Sequence, residues 1–431
     1  MKTDHDSIGR LIVFFLSLLF TQTLWAGQNA AWSEKLDNHL GGHFKFKGNI
    51  TGYDNGSYFQ PLGTSTGFDG LANTRLTDKL ILSEIVYVQT HYEAFLKFGN
   101  TYEKQYAGGR SPDTSNIDKR RIFDLTQTVK ETADYILWHR LDRLLLSIKP
   151  FWGDIIVGRQ AVTWGNGLIF NPMDLFNPFS PSDTNRDYKM GDDLVSVRFT
   201  TQESGEFNLL YVPRRDVITG EIDFKSSSIA GKNHFFIGDM EIDVMGALHY
   251  NETVLGLGAS GCLGDAAWRW DLVWSTIKKG NRHKNGYIEV VLNMDYSWVW
   301  FKKNMYGLIE YYHNGLGKNN YTNALKDPEV VERIDRGESF ALGKNYVSWQ
   351  IQVELHPLLN VYVNVINNFR DPSGIIQPRA VWNTTQNSNI QLGANFYYGR
   401  PGSEYGGFLI PDTIHHTNAA PSAYVLFTTY F

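Results

Sequence analysis

Arg143, Arg198, Arg214, Arg269, Lys302 and Arg379 share one property with Glu241, Asp243, Asp271, Glu289, Glu310 and Glu354. Each falls on the polar side of a segment in which apolar and polar residues alternate. Charges gathered on one face can do two kinds of work. A ring of one sign selects ions in a pore. Opposite signs pair across a polar interior and hold it together. Here the signs are matched, so pairing is expected for most, and no one-signed ring emerges. A second charged set, Asp174, Asp183, Arg186, Asp187, Lys189, Asp192 and Asp193, is crowded into the single stretch 165–193. Catalysis finds little support. His249 lies on a polar face without a convincing serine partner. His415 and His416 are adjacent, and adjacent side chains on extended chain point apart. The single cysteine excludes an intramolecular disulfide and a cysteine-cluster metal site. No metal or other cofactor is expected. A net charge of -5 gives no reason to expect nucleic acid.

The elements that carry these charges repeat every two residues. Trp268, Trp270, Leu272 and Trp274 oppose Arg269, Asp271 and Ser275. Ile288, Val290, Leu292 and Met294 oppose Tyr287, Glu289 and Asn293. Val347, Trp349, Ile351 and Val353 oppose Ser348, Gln350, Gln352 and Glu354. This is the pattern of half-buried strands, and helical periodicity is almost absent. It recurs about 18 times along the chain, with connections alternating short and long. Short turns are expected around 89–92, 150–153, 202–205, 238–240, 264–266, 295–298, 356–358 and 386–388. Long connections are expected at 54–72, 107–132, 165–193, 215–228, 315–339 and 401–420. The strand beginning near Asp134 places Arg140 and Asp142 on the face of Leu144 and Leu146, which implies either a bulge or a lower start.

Composition fits one architecture. The 431 residues include 12 Trp, 23 Tyr and 26 Phe, yet 20% are charged and mean hydropathy is -0.31. A sheet with one apolar and one polar face produces that pairing. The fold class expected is all-β: a transmembrane antiparallel barrel of about 18 strands, with short periplasmic turns and long extracellular loops. The apolar set then faces lipid and the polar set lines the interior, because closure pairs every backbone group around the ring. Trp298, Tyr311, Tyr398 and Tyr250 are candidates for interfacial girdles. Residues 1–26 read as a cleaved export signal, with Lys2 and Arg10 before the apolar run Leu11–Phe20. Residues 27–42 are expected to be a short periplasmic segment and 43–431 the barrel.

Two stretches carry a resemblance. Gly158-Arg-Gln160, Trp164-Gly165, Asn171-Pro172, Asp174 and Asn177-Pro178 resemble porin-like bacterial outer-membrane proteins with a GRQ…WG…NP-D…NP segment. The final strand, Ala423 to Phe431, resembles the assembly signal of outer-membrane barrels, with Thr429 where a more hydrophobic residue is usual. The resemblance implies a Gram-negative outer-membrane location, insertion by the outer-membrane assembly machinery through Phe431, lipid contact and a possible homo-oligomer. It also implies passive passage of small hydrophilic solutes. The apolar residues of 165–193 (Leu168, Ile169, Phe170, Leu175, Phe176 and Phe179) argue that this loop packs inside the barrel and narrows it. Met173–Phe176 is expected to form a helical turn. A mixed aromatic and polar lining (Tyr362, Tyr397, Trp300, Tyr306) would suit sugars or aromatic solutes, or simply fill space. The alternative function is a structural, assembly or adhesin-type barrel without an open pore, and an outer-membrane lipase is the weakest reading.

Overall fold

The structure is a computed structural model that describes residues 37–60, 65–107, 118–183, 187–201, 205–277 and 285–431. The export-signal reading of 1–26 and Arg186 lie outside the described residues. The chain opens with β1 (Asp37–Gly52), β2 (Thr66–Ser83) and β3 (Val86–Gly99), then helix α1 (Asn100–Ala107). Next come β4 (Thr126–Glu131), β5 (Tyr135–Ile148), β6 (Gly153–Gln160), β7 (Asp192–Thr200) and β8 (Glu206–Val212). The far wall is β9 (Ser228–Ile237), β10 (Met240–His249), β11 (Glu252–Leu263), β12 (Ala266–Thr276), β13 (Gly286–Trp300) and β14 (Lys303–Asn314). Helices α2 (Tyr321–Ala324) and α3 (Pro328–Asp335) precede β15 (Asn345–His356), β16 (Leu359–Asn368), β17 (Ser373–Asn383), β18 (Ser388–Tyr398) and β19 (Ser422–Tyr430).

Sequential strands pair antiparallel, and β1 pairs with both β2 and β19, so the sheet closes. The ring has 18 staves, because β3 pairs directly with β5 and β4 is not one of them. β4 pairs with the upper half of β5, from Thr126↔Arg140 to Glu131↔Ile136, while β6 takes the lower half, from Leu144↔Arg159 to Ile148↔Ile155. β6 ends at Gln160, where the chain leaves the wall. β4 and residues 118–125 cover the notch this leaves. Arg159 and Asp193 sit at outward positions by register, yet each is only 2% exposed. Arg159 seals the seam by donating to Asp193 (2.8 Å), Asp118 (2.9 Å) and the Phe123 carbonyl (2.6 Å).

Short turns line one rim, and the long connections lie at the other together with short turns at 250–251 and 369–372. The outer face is an apolar belt: Phe46, Phe68, Leu209, Leu257, Leu272, Ile309, Ile351 and Leu392 are all exposed. Aromatics gather at the short-turn rim, where Trp298 stacks on Tyr296 and Trp152 on Phe199. Tyr311 and Tyr398 also point outward by register, nearer the long-loop rim. Tyr250 does not belong to a girdle. It is buried, with the guanidiniums of Arg214 and Arg336 over its ring at 4.7 and 4.2 Å.

Boundaries differ in places, and each difference has a cause. β1 begins at Asp37, so 37–42 belong to the wall. β3 begins at Val86 because Gln89, His91 and Glu93, which look turn-like, are inward residues of a strand. β13 runs on to Trp300, and the turn is Phe301-Lys302, both with positive φ. The bulge in β5 is present: Leu141 pairs with Tyr92 and Arg143 with His91, leaving Asp142 as the extra residue. The turn at 172–173 makes no helix at Met173–Phe176. The long connection 315–344 does hold two helices. Asp327 caps α3 by accepting from Glu329 N at 3.0 Å, with Pro328 at its first position.

Candidate functional site: the interior of the ring

Register decides which side chains face inward. Arg198, Arg269, Asp243, Asp271 and Glu289 lie at such positions. Arg143 is buried and donates to the Asp142 carboxylate at 2.8 Å and to the Lys189 carbonyl. Arg198 pairs with Asp154 and, at 3.5 Å, with Glu206. Arg269 pairs with Asp295 and reaches Asn293 at 3.2 Å. Arg379 lies 4.4 Å over the ring of Tyr362. Asp243 accepts from Lys232 at 3.1 Å and contacts His234 at 3.0 Å. Glu289 accepts from the Tyr312 hydroxyl, Glu354 from Asn304 (3.1 Å) and Glu241 from Ser260 (3.0 Å). Arg214 lies just beyond β8, where it pairs with Asp192. Lys302 is corrected: it is an exposed turn residue at the short-turn rim, because β13 continues past the turn expected at 295–298. Arg143, Arg198, Arg214, Arg269 and Asp243 thus form ion pairs, whereas Glu241, Glu289 and Glu354 accept from neutral donors.

Segment 161–191 makes its contacts with inward positions of the wall. Asp271, fully buried, accepts from the Asn166 amide (2.7 Å), the Gly167 amide (3.2 Å) and the Asn166 side chain (2.9 Å). Glu310, 1% exposed, accepts from the backbone amides of Leu168 (2.8 Å), Ile169 (3.2 Å) and Phe170 (2.6 Å). Two carboxylates thus take up the consecutive N–H groups of a chain turn, which would otherwise be unpaired donors. Gly165 permits the turn: its φ is 89°, and a Cβ there would meet Asn171 Oδ1 at 2.2 Å. Further along, the Ser182 carbonyl accepts from Gln377 at 2.9 Å, and Asp187 pairs with Lys45. Tyr188 stacks on His43 at 5.7 Å and covers Arg75 at 4.4 Å.

Apolar contacts hold the same segment. Trp164, Met173 and Phe176 are buried against Leu194, Leu210, Val212, Met245, Val254 and Val273 on the inner side of β7–β12. Phe170 packs on Tyr312 and Tyr346, with ring centroids 4.4 and 5.2 Å away. Each fully buried side chain of this size contributes roughly 1.5–3 kcal/mol. Ile169 and Leu175 are partly buried there, whereas Leu168 and Phe179 remain exposed. Asp174 and Lys189 form a buried pair within the segment, and Lys189 also donates to the Val162 carbonyl. Burial raises the Asp174 carboxyl to about 6, against the pull of Lys189. Asp183 lies near Lys47. Asp192 and Asp193 open β7, so they are wall residues, not loop residues.

Sequence reasoning missed two buried networks. Arg75, 1% exposed, bridges Glu93 (2.9 Å) and Asp142 (2.8 Å), and Arg140 closes on Glu93 at 2.6 Å. The period of β2 and β3 shows it only when 89–92, expected to be a turn, is read as strand. At the long-loop rim, Glu252 pairs with Arg333 and Arg336 of the 315–344 segment. Glu338 accepts from Arg333 (3.1 Å) and contacts His249 Nε2 (3.0 Å), whose Nδ1 meets Ser228 Oγ (2.9 Å). Burial works to raise the Glu338 carboxyl, but His249 and the two guanidiniums outweigh it and hold it at about 2. Ser228 and His249 are 2% and 1% exposed, so this serine–histidine–glutamate chain ties a loop to the wall and presents no nucleophile to solvent. No group of residues suited to a metal ion occurs among the described residues.

No protein-family model matches the chain, and no curated protein does. Solved structures do. Acinetobacter baumannii OccAB1 superposes with a TM-score of 0.53 at 9% identity, covering 91% of this chain and 96% of that one. Pseudomonas aeruginosa OccK5 (OpdH) gives 0.51 at 9% identity, covering 91% and 98%. Pseudomonas aeruginosa OccK2 (OpdF), solved in complex with glucuronate, gives 0.52 at 8% identity, covering 92% and 98%. The likeness is one of fold. It spans nearly the whole of each chain.

Proposed function

We propose that this chain is an outer-membrane channel through which small hydrophilic solutes diffuse passively. One observation carries the reading: a closed ring whose outer face is an apolar belt and whose inner face is charged and polar. Such a body is stable only with lipid outside and water or polar protein inside. The short-turn rim is then periplasmic and the long loops extracellular. Residues 1–26 would direct export, and the strand ending at Phe431 would engage the assembly machinery. The OccK2 structure contains glucuronate, itself a small hydrophilic solute, which is in keeping with passage of this class.

Segment 161–191 narrows the passage in this reading. Its anchors run from Asp271 and Glu310 through Gln377 to Lys45 and Arg143, that is, from β12 around to β5. It therefore occupies cross-section at mid-depth. Deleting 168–190 should raise single-channel conductance in a planar bilayer. An unchanged conductance from a correctly folded deletion variant would remove the narrowing role.

A further inference from the structure

We infer that residues 118–125 and the hairpin 213–224 form a stretch of membrane-facing wall that lies against lipid acyl chains, an inference that rests on the outer-membrane reading above. The strands beneath them are too short to span a bilayer alone. β6 has 8 residues, β7 has 9 and β8 has 7, against 18 in β2 and 15 in β13. At about 3.3 Å per residue and a tilt of about 45°, such strands reach roughly 16–21 Å, short of an apolar band of about 25 Å. The outward residues show the same gap. Val157, Val195, Tyr211 and Ile229 form one exposed row across four strands, and the next outward pair up is Arg159 and Asp193. The belt would end at that ion pair unless something apolar covered it.

Phe123 covers it. Its amide donates to Asp193 at 3.0 Å and its carbonyl accepts from Arg159 at 2.6 Å, while its ring is left exposed. The hairpin adds to the same side. Arg214 turns into the mouth toward Asp192, so Arg215 turns outward, and Ile222 is bridged to Arg215. Ile222 and Phe224 are exposed. Lipid tolerates irregular backbone only where the protein itself satisfies the polar groups. This patch meets that condition. The Leu125 amide donates to Asp118 at 3.0 Å, and the Leu125 carbonyl accepts from the Leu141 amide at 3.0 Å. The Arg215 guanidinium donates to the carbonyls of Ile122 (2.9 Å) and Gly220 (2.8 Å), and the Arg215 amide to the carbonyl of Arg120 (2.9 Å). Charged side chains thus cap the backbone of a loop. Water would satisfy those groups without them; acyl chains would not. Continuity with the exposed row beneath makes lipid the occupant.

Spin labelling of the full-length protein in proteoliposomes tests this. Cys262, which is exposed, is first removed as Cys262→Ser. Nitroxides are then placed singly at Phe123→Cys and Ile222→Cys, at Leu209→Cys in the belt and at Asp239→Cys in a short turn. The two patch labels should collide with oxygen and escape nickel ethylenediaminediacetate in the same ratio as Leu209→Cys, several-fold above Asp239→Cys. A ratio equal to that of Asp239→Cys would place the patch in water and overturn the inference. Shielding from both reagents would mean that protein covers the patch, a second copy included, and would overturn it as well. Leu209→Cys in water would sink the membrane reading itself. The wild type gives a second measurement that no folding defect can spoil. A phospholipid carrying a diazirine in its acyl chain should crosslink to the peptides that hold Phe123 and Ile222; crosslinks confined to strand residues would count against the patch.

Discussion

Glu310→Ala should free residues 168–170 from the wall. The carboxylate accepts three consecutive backbone amides and is itself almost fully buried. A hydrogen bond to a charged group contributes roughly 1.5–3 kcal/mol, so three give a gross anchor of roughly 5–9 kcal/mol. Removing the carboxylate also removes its own burial penalty, several kcal/mol. The net loss is then about 3 kcal/mol, a shift of somewhat over a hundredfold in the anchored-to-released equilibrium. Packing of Phe170, Met173 and Phe176 still holds the segment, so release is transient and not permanent. Single-channel recording is the assay. The variant should show higher mean conductance and open-state flicker absent from the wild type, with Glu310→Gln between the two because one acceptor oxygen survives. A folded Glu310→Ala barrel with wild-type conductance and noise would refute the anchoring role.

Arg75→Met leaves Glu93 with Arg140 alone and Asp142 with Arg143 alone, which should cost about 1.5–3 kcal/mol and lower the temperature at which the folded gel band converts to the unfolded one. Gly158→Ala should impair folding, since φ there is 123° and the new Cβ would meet the Leu144 carbonyl at 2.2 Å; the yield of the heat-modifiable form reads this. Asp174 has its folded pKa raised to about 6 against an ordinary 3.8, so its contribution to stability is full below 3.8 and lost as pH rises through about 6. Wild-type thermal stability should therefore gain between pH 7 and pH 5 relative to Asp174→Asn, measured by melting both at the two pH values. Glu338, held at about 2, contributes stability that is present above its ordinary 4.5 and lost only as pH falls toward 2. The 315–344 loop should thus stay protected from protease at pH 5 in the wild type and lose that protection in Glu338→Ala.

Fold class was legible because alternation is a local signal. Trp270, Leu272 and Trp274 face outward and Asp271 inward whatever the rest of the chain does. The bulge at Asp142 was legible for the same reason, as a break in period. Boundaries were less so. Inward strand residues such as Gln89 and His91 are as polar as turn residues, so composition alone cannot separate them. Pairing across the interior was not legible at all. Nothing local links Glu310 to Leu168, because that contact depends on how the segment leaving β6 crosses to β14. The apolar inner wall formed by Leu210, Met245 and Val273 was also hidden. A strand loses its period of two where both faces are apolar, and these inner apolar residues make sense only once Met173 and Phe176 lie against them. Short β4 escaped because it belongs to a patch over a notch, and the notch exists only in three dimensions.

Single-channel recording of the purified wild-type protein in a planar bilayer bears most directly on the channel itself. Stepwise, ohmic current in potassium chloride is the predicted result. A protein that migrates as a folded, heat-modifiable barrel yet inserts without any conductance would contradict it.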